Sequence, residues 1–284
     1  MKPQMREPNP EVNSPKESLL DDLLIMVGAL VFFLAVMYFG FSFMLGAILE
    51  RLQPDHERRI FETFVKALPQ VEEARRGIRV QKLIDGLAEH WEEAPLAYKS
   101  FLLDDASPNA FAFPGGYIGV TTGLLDMTET ENELAFVLAH ELGHFKHRHH
   151  IQGLSQGLSW MLVQAFFQMA TGGTISQTMV FDFFEMFSLR KKQREHEIEA
   201  DAFGLDLVAK KYGHTRGAIH FFQKMKDQSP ENLKLFEKFA SSHPLPEERI
   251  EQLQKWSDEK SQNSAKLIPW QLASEAESFD AGPQ

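Results

Sequence analysis

Two histidines four residues apart carry the clearest chemical signal in the sequence. His140 and His144 enclose Glu141 in the run His-Glu-Leu-Gly-His. On an α-helix, residues four apart differ by about 40° around the axis and about 6 Å along it, so both imidazoles can reach one Zn²⁺ ion. Glu141 then lies beside the metal, where its carboxylate can hold a zinc-bound water and accept its proton. The spacing predicts a catalytic zinc site, and the alternative is a charged helix with two surface histidines.

A catalytic zinc site needs a third protein ligand, and two residues compete for that role. His150 follows His144 by six residues, which is the position of the third ligand in metzincins, but those enzymes have a helix-breaking glycine where this chain has His147. Glu197 is the stronger candidate because it precedes Asp201 by four residues, so that both carboxylates share one face of a second predicted helix. One carboxylate can then bind the metal while the other accepts a hydrogen bond from a ligand histidine.

The acidic cluster around these carboxylates also contains Glu199, which we expect to belong to a solvated, salt-bridged helix face.

Further motifs lie in a fixed order between about residues 55 and 255. They are Asn109-Ala-Phe with Pro-Gly-Gly and Gly123-Leu-Leu, His140-Glu-Leu-Gly-His144 with Arg148-His149, Glu197-x-x-Ala-Asp201, and Ser242-His243-Pro244 with Arg249-Ile250.

Together these motifs resemble the gluzincin zinc metallopeptidase family of the CaaX prenyl protease, the heat-shock protease HtpX and the mitochondrial overlapping-activity protease, which also contains the periplasmic beta-barrel-assembly protease. The resemblance implies a membrane-anchored, bacterial-type zinc endopeptidase that holds one Zn²⁺ per chain. The implied metal ligands are His140, His144 and Glu197, with Glu141 as general base and acid and Asp201 as the hydrogen-bond partner behind the ligands.

The resemblance also implies how a substrate binds. The strand around Tyr117–Val120 is expected to be a sheet edge on which a peptide adds as an extra strand, with Gly116, Tyr117 and Ile118 as substrate-binding residues. His243 falls where the family has a His-Pro pair near the site. Two roles remain open for it: a catalytic role in stabilising the tetrahedral oxyanion, and a structural role in a turn.

The composition excludes several kinds of chemistry. The 284 residues include no cysteine, which rules out disulfides, cysteine-ligated zinc, iron–sulfur clusters and thiol nucleophiles. The formal charge of −11 and the absence of a block of basic residues argue against a nucleic-acid partner. The chain is long enough to bury a sizeable hydrophobic core.

One segment is apolar enough to cross a membrane. Leu23–Leu49 is an uncharged run between Asp22 and Glu50. As a helix it would span roughly 40 Å, which exceeds the ~30 Å hydrocarbon core of a bilayer. The alternative is a cleaved signal peptide, whose apolar region is only about 7–15 residues long. The length therefore predicts a transmembrane helix over residues 23–49.

The charges beside this segment give its orientation only a slight bias. Three lysines and arginines precede it, and four lie in residues 50–70, so the positive-inside rule favours a cytoplasmic C-terminal part. We expect a single-pass protein of a bacterial inner membrane. Its expected partners are the lipid bilayer and a polypeptide substrate, and the sequence leaves its oligomeric state undetermined.

Hydrophobic periodicity places the remaining elements around the motifs. A capping box at Thr130-Glu-Asn-Glu133 predicts that the zinc-motif helix begins there and runs to about His150. The other predicted elements are helices over 55–67, 71–92, 190–211, 215–227 and 231–240 and after Pro246, strands over Tyr98–Asp105 and Tyr117–Thr122, and a Pro-Gly-Gly turn in the segment Asn109–Gly116 that separates the strands.

These elements predict an α+β fold that is mostly helical: an N-terminal transmembrane helix followed by a gluzincin metalloprotease domain with a small sheet and zinc-binding helices. The domain is expected over residues 50–256, with a disordered tail over 1–22 and a flexible acidic tail over 257–284. Within the domain, residues 152–181 carry no charge. We interpret 152–188 as a hairpin that covers the core or interacts with the membrane.

The function that follows is hydrolysis of peptide bonds in membrane-associated or misfolded proteins, as in protein quality control. Two other functions compete with this one. An intramembrane protease of the site-2 type would place the zinc motif in an apolar span, whereas Glu129, Glu131, Glu133 and Lys146 surround this motif. A membrane-tethered chaperone or binding module with a structural metal site is the alternative outside enzymology.

Overall fold

The computed structural model describes residues 19–68, 70–71, 73–92, 94–95, 97–171, 194–218, 220, 223, 243, 247–260 and 267–270. Predictions that fall on other residues lie outside the described part of the chain. These include the tail over 1–18, the second half of the 152–188 hairpin, the helix over 231–240, most of the helix over 215–227 and the final residues 271–284.

The described residues contain eight helices and three strands. In chain order they are α1 (Leu19–Glu50), α2 (Pro54–Lys66), α3 (Ala74–Ala88), β1 (Lys99–Leu103), β2 (Ala110–Phe113), β3 (Tyr117–Thr121), α4 (Thr122–Met127), α5 (Glu131–Lys146), α6 (His149–Thr171), α7 (Arg194–Tyr212) and α8 (Glu247–Lys260). The predicted α+β class, mostly helical with a small sheet, is confirmed.

The three strands form one mixed sheet in the order β1-β3-β2. β3 pairs in parallel with β1 and antiparallel with β2. The predicted strands correspond to β1 and β3, whereas β2 lies in the segment that was expected only to separate them. Gly115 and Gly116 have φ of 88° and 77°, so they make the predicted turn in a backbone region that glycine enters without steric cost.

The hydrophobic core lies between one face of this sheet and helices α3, α5 and α7. Its members are apolar residues at helical and strand spacing, so each amphipathic element buries one face. The buried side chains include Val80, Ile84 and Leu87 of α3, Ile118 and Val120 of β3, Leu134, Leu138 and Leu142 of α5, and Leu205 and Val208 of α7.

Two glycines let α5 and α7 approach each other closely. A Cβ atom on Gly143 would lie 2.7 Å from the Cα of Ala200, and one on Gly204 would lie 3.0 Å from the backbone nitrogen of His140. Any larger residue at Gly143 would force the helices apart, because protein interiors are close-packed. The Gly of the His-Glu-Leu-Gly-His motif therefore sets the distance between the two helices that carry the predicted metal ligands.

Helix α5 begins as predicted and ends earlier than predicted. The side chain of Thr130 accepts a hydrogen bond from the Glu133 amide (3.2 Å), and the Glu133 carboxylate accepts one from the Glu129 amide (3.1 Å), which forms the capping box. The helix was expected to continue to about His150, but it ends at Lys146. The chain turns at Arg148, whose φ of 54° lies in the left-handed region, and α6 begins at the next residue.

Helices α1 and α6 lie side by side and run in opposite directions. Phe33 contacts Phe166 with ring centroids 5.5 Å apart, and Tyr38 contacts Trp160 at 6.4 Å. Within the described residues, α1 is the one helix long and apolar enough to cross a membrane. It extends the predicted 23–49 segment at both ends.

The C-terminal part of the chain departs from the expected flexible tail. Ser257 to Lys260 belong to α8, and residues 267–270 pack against the start of α5. Trp270 is buried, its amide donates to the Glu129 carbonyl (2.8 Å), and the Arg79 guanidinium lies 4.0 Å above its ring. The prediction of a flexible tail is wrong at 257–260, which complete α8, and at 267–270, which form hydrogen bonds with residues at the start of α5 that are remote in sequence.

Candidate metal centre

The two motif histidines and Glu197 converge on one buried point between α5 and α7. The Nε2 atoms of His140 and His144 lie 3.0 Å apart. The Oε2 atom of Glu197 lies 3.4 Å from the Nε2 of His140, and its Oε1 atom lies 3.5 Å from the Nε2 of His144. Ligand atoms of these three residues and His243 all lie within 4.8 Å of one another, and all four residues are buried. The structure thus brings the three predicted ligands together.

A buried ion pair supports this group from behind. The Asp201 Oδ1 lies 2.8 Å from the Nδ1 of His140, the position that the sequence predicts for it. The Arg249 guanidinium donates two hydrogen bonds to the Asp201 carboxylate, of 2.6 and 2.8 Å, and its remaining nitrogen lies 2.9 Å from a Glu197 oxygen. Arg249 was quoted in a sequence motif without a role, and the structure shows that it contacts both acidic residues of α7.

The pKa shifts at this point indicate that the basic and acidic side chains stabilise one another's charged forms. Burial alone would lower the pKa of His140, but hydrogen bonds to Asp201 and Glu197 outweigh it and raise the pKa to about 9. Burial would raise the pKa of Glu197, yet the neighbouring His243 and His140 hold it well below its usual value. Burial is likewise outweighed at Asp201, whose pKa is lowered by Arg249.

The site also leaves two carboxylate oxygens without a hydrogen-bond donor among the described residues. They are the Oε1 atoms of Glu141 and Glu197, and both residues are almost fully buried. Such groups are costly to bury without a partner. The other oxygen of Glu141 is fixed, since it accepts a hydrogen bond from the Ala112 amide of β2 (2.6 Å).

These observations fit a divalent cation bound by His140, His144 and Glu197. Three buried carboxyl groups face one buried guanidinium, so a doubly charged ion balances the charge. Two imidazoles and one carboxylate are a ligand set that catalytic zinc uses.

The comparisons with known proteins agree with this chemistry. The model of peptidase family M48 matches residues 74–257, which is well over half of the chain. The chain belongs to peptidase family M48. The expected resemblance to this metallopeptidase family is thereby confirmed.

Several relatives of this M48 chain are named metalloproteases. It is 30% identical over 167 residues to the mitochondrial metalloendopeptidase OMA1 of Schizosaccharomyces pombe, covering 58% of this chain and 48% of the relative. It is 27% identical over 182 residues to the metalloprotease YcaL of Escherichia coli, covering 63% and 69%. A putative beta-barrel assembly-enhancing protease of Vibrio cholerae is 31% identical over 168 residues, covering 53% and 32%. The chain spans about half the length of the yeast OMA1 proteins that it matches.

His243 of the M48 chain contributes a further nitrogen to the metal group. Its Nδ1 lies 3.3 Å from a Glu197 oxygen, and its Nε2 lies 3.2 Å from the Ala110 carbonyl and 3.5 Å from the Glu141 Oε1. The side chain therefore bridges the edge of the sheet and the acidic residues of the site. Its expected role in stabilising an oxyanion stays a prediction.

His150, the competing candidate for third ligand, lies in a different network. Its Nε2 is 3.1 Å from the Glu57 Oε1, and the same carboxylate accepts a hydrogen bond from the Gly115 amide (2.7 Å) and lies 3.4 Å from the Arg148 guanidinium. The turn at Arg148 carries His150 away from the ligand face of α5. The structure therefore favours Glu197 over His150.

The expected substrate strand is wrong in one respect. Tyr117 and Ile118 belong to β3, which has hydrogen-bonded neighbours on both sides, so Tyr117–Val120 is not a sheet edge. The outer strand beside the metal group is β2, because its Ala112 amide and Ala110 carbonyl contact Glu141 and His243. Sequence reasoning missed β2 because its four residues are apolar on both faces and show no alternation.

Proposed function

We propose that this member of family M48 is a membrane-anchored, zinc-dependent endopeptidase. The observation that carries the proposal is the convergence of two imidazole nitrogens and the Glu197 carboxylate beside a second, partly unpaired carboxylate on Glu141. A zinc ion bound by His140, His144 and Glu197 would polarise the scissile carbonyl and make a water molecule more acidic. That chemistry suits hydrolysis of a peptide bond.

Glu141 is the residue proposed to move the proton. Its Oε2 is fixed by the Ala112 amide, which leaves Oε1 to accept a proton from the attacking water. The same oxygen can then pass the proton to the amine that leaves.

The outer edge of β2 is the proposed position of the peptide substrate. The Thr121 amide donates to the Asn109 carbonyl, so alternate residues of β2, Ala110 and Ala112, direct their backbone groups away from β3. Those groups contact His243 and Glu141. An extended peptide that adds at this edge would therefore pass directly beside the proposed proton acceptor.

The apolar helices α1 and α6 support attachment to a bilayer. The Phe33–Phe166 contact lies 17 residues before the end of α1, which corresponds to about 25 Å along the helix. If α1 crosses the bilayer, α6 accompanies it over most of the hydrocarbon core. Its hydroxyl groups suit that surrounding, since Ser155 and Ser159 donate to carbonyls of their own helix.

This arrangement favours polypeptides at or near the membrane as substrates, including misfolded ones. The orientation proposed from the flanking charges places the catalytic part on the cytoplasmic side. Digestion of intact and lysed inverted membrane vesicles by an added protease tests that orientation. Cleavage in intact inverted vesicles supports a cytoplasmic catalytic part, and protection until lysis contradicts it.

The decisive test compares the full chain with its Glu141→Gln variant in detergent or in vesicles. We expect Glu141→Gln to bind one zinc per chain as the wild type does and to lose at least about a hundredfold in the rate of cleavage of an unfolded polypeptide. Equal cleavage by both proteins would contradict the proposed role of Glu141. Zinc binding without cleavage by the wild type would instead favour a binding module with a structural metal.

A further inference from the structure

A second hydrogen-bond chain runs behind the other metal ligand. The Nδ1 of His144 lies 2.9 Å from the Nδ1 of His149, and the Nε2 of His149 lies 3.0 Å from a carboxylate oxygen of Glu199. His149 is buried, whereas the Glu199 side chain is 49% exposed. This series of hydrogen bonds therefore leads from the buried metal group to the protein surface.

The position of each proton in this chain follows from the metal site. A neutral histidine that binds a metal through Nε2 carries its proton on Nδ1. His144 must then donate to the Nδ1 of His149, which acts as the acceptor. The remaining proton of a neutral His149 sits on Nε2, where it donates to the Glu199 carboxylate. Each of the two short contacts thus has one donor and one acceptor.

The turn after α5 places His149 under His144. Arg148 adopts its left-handed conformation while its guanidinium donates to the Leu49 carbonyl (3.0 Å). A left-handed conformation at a non-glycine residue has an energetic cost, so this hydrogen bond helps to hold Arg148 in that conformation. The ring of His196 also stacks on that of His149 with centroids 3.9 Å apart, which restricts rotation of the imidazole.

We propose that His149 and Glu199 are positioning residues that orient His144 for metal binding. They do for His144 what Asp201 does for His140, and both supports end on carboxylates of α7. The inference rests on the proposed zinc site and adds residues to which sequence reasoning gave no role: His149 was only part of a motif, and Glu199 was expected to be a solvated surface residue.

The same cluster could be interpreted as a second metal site. His147, His149 and Glu199 place ligand atoms within 4.8 Å of one another. The contact with His144 argues against that interpretation, because a neutral His149 that bound a metal through Nε2 would carry its proton on Nδ1. Two N–H groups would then face each other across the 2.9 Å between the Nδ1 atoms of His144 and His149. The positioning role therefore accounts for both short contacts, and a second metal does not.

The test measures zinc affinity of the full-length protein by competition with a chelator. His149→Leu and His149→Asn are a matched pair, because Asn has nearly the shape of Leu and adds an oxygen that can accept from His144. We expect His149→Leu to weaken zinc binding by about 10–100-fold and His149→Asn to recover most of that loss. Glu199→Gln keeps an acceptor without the charge, and we expect a measurable loss of about three- to tenfold.

His147→Ala is the control, since His147 lies in the same turn and contacts neither His140 nor His144 through a described hydrogen bond. We expect its zinc affinity and its stoichiometry of one to match the wild type. Wild-type affinity in His149→Leu would overturn the inference while leaving the zinc site intact. A second bound zinc that is lost in His147→Ala would overturn it in favour of a second metal site. If His149→Leu fails to fold, Glu199→Gln is the deciding variant, because residue 199 is half exposed. Wild-type zinc affinity in Glu199→Gln would contradict the positioning role of His149 and Glu199. Absence of zinc binding by the folded wild type would contradict the proposed function itself.

Discussion

The helix pairs α5–α7 and α1–α6 are held together by different kinds of contact. The α5–α7 pair is joined by glycine contacts and by a buried network that links Asp201 and Glu197 to Arg249 and the histidines. The α1–α6 pair is joined by aromatic contacts such as Tyr38–Trp160. Hydrogen bonds between charged groups have strict distance and angle requirements, whereas apolar contacts have few.

The difference indicates what each pair contributes. The α5–α7 pair must hold ligand atoms within fractions of an ångström, and only directional contacts and close backbone approach do so. If α1 crosses a bilayer as proposed, the α1–α6 pair only has to remain associated in an apolar surrounding, where small residues and aromatic packing suffice. Substitutions in the first pair should therefore have larger effects than comparable substitutions in the second.

The largest effect is expected for Arg249→Met. This change removes the guanidinium and leaves the Asp201 and Glu197 carboxylates buried without their cation. Loss of one partner from a buried ion pair costs about 3–5 kcal/mol of unfolding free energy, which chemical denaturation in detergent can measure. Lys210→Met is the control, because its ion pair with Asp206 is about half exposed and should contribute no more than ~1 kcal/mol. Equal losses in both variants would contradict the comparison.

Gly143→Ala tests the close approach of α5 and α7. The added methyl group would meet the Ala200 backbone, so we expect a loss of about 1–3 kcal/mol in stability and weaker zinc binding. Gly46→Ala is the matched change in α1, where the methyl group would lie 3.7 Å from the Ser155 hydroxyl, an ordinary contact. That variant should be as stable as the wild type or slightly more so, since alanine favours helices. Denaturation curves of the two variants decide the point.

The pH dependence of stability tests the contacts of Glu57 with Arg148 and His150, which lie at the junction of α5 and α6. Burial alone raises the pKa of Glu57, but hydrogen bonds from His150 and Gly115 and the charge of Arg148 lower it below the ordinary 4.5. A depressed pKa means that the ionised carboxylate stabilises the fold above pH 4.5 and that this contribution disappears as the pH falls through the folded-state value.

Metal-free wild type should therefore lose stability more steeply below pH 4.5 than a metal-free Glu57→Gln variant does. Thermal unfolding at a series of pH values measures the two slopes. Glu62→Gln is a control, because Glu62 pairs with Lys66 on the surface of the same helix. Identical slopes for wild type and Glu57→Gln would contradict the stabilising role of the ionised Glu57 carboxylate.

The smallest effect is expected for the Tyr38–Trp160 contact between α1 and α6. A double-mutant cycle of Tyr38→Ala and Trp160→Ala should give a coupling energy of about 0.5–1.5 kcal/mol, the usual range for an aromatic pair. Zinc affinity should be unchanged, because neither residue contacts the metal group. A loss of zinc affinity in either single variant would show that the apolar pair also sets the site geometry.

The sequence predicts most of what depends on local spacing. The histidines four apart, the carboxylates four apart, the capping box at Thr130 and the long apolar helix all reflect helical periodicity, which a sequence displays directly. The structure brings His140, His144 and Glu197 together as that spacing requires.

The remaining features depend on contacts between residues far apart in the chain. The position of β3 in the centre of the sheet follows from β2, a strand too short and too uniformly apolar to identify by alternation. The early end of α5 requires a left-handed Arg148, and arginine is not a residue that predicts such a turn. Arg249 contacts α7, and Trp270 contacts α3 and the start of α5, so spacing alone does not reveal their roles.

The hydrogen bond from Arg148 to the Leu49 carbonyl connects the region of the metal group to the end of α1. Arg148 lies four residues beyond His144, and Leu49 is the penultimate residue of α1. This contact ties the turn that follows the zinc-motif helix to the C-terminal end of α1. If α1 anchors the protein in a bilayer as proposed, this connection would restrict cleavage to peptide bonds at a set distance from the membrane surface, whichever protein presents them.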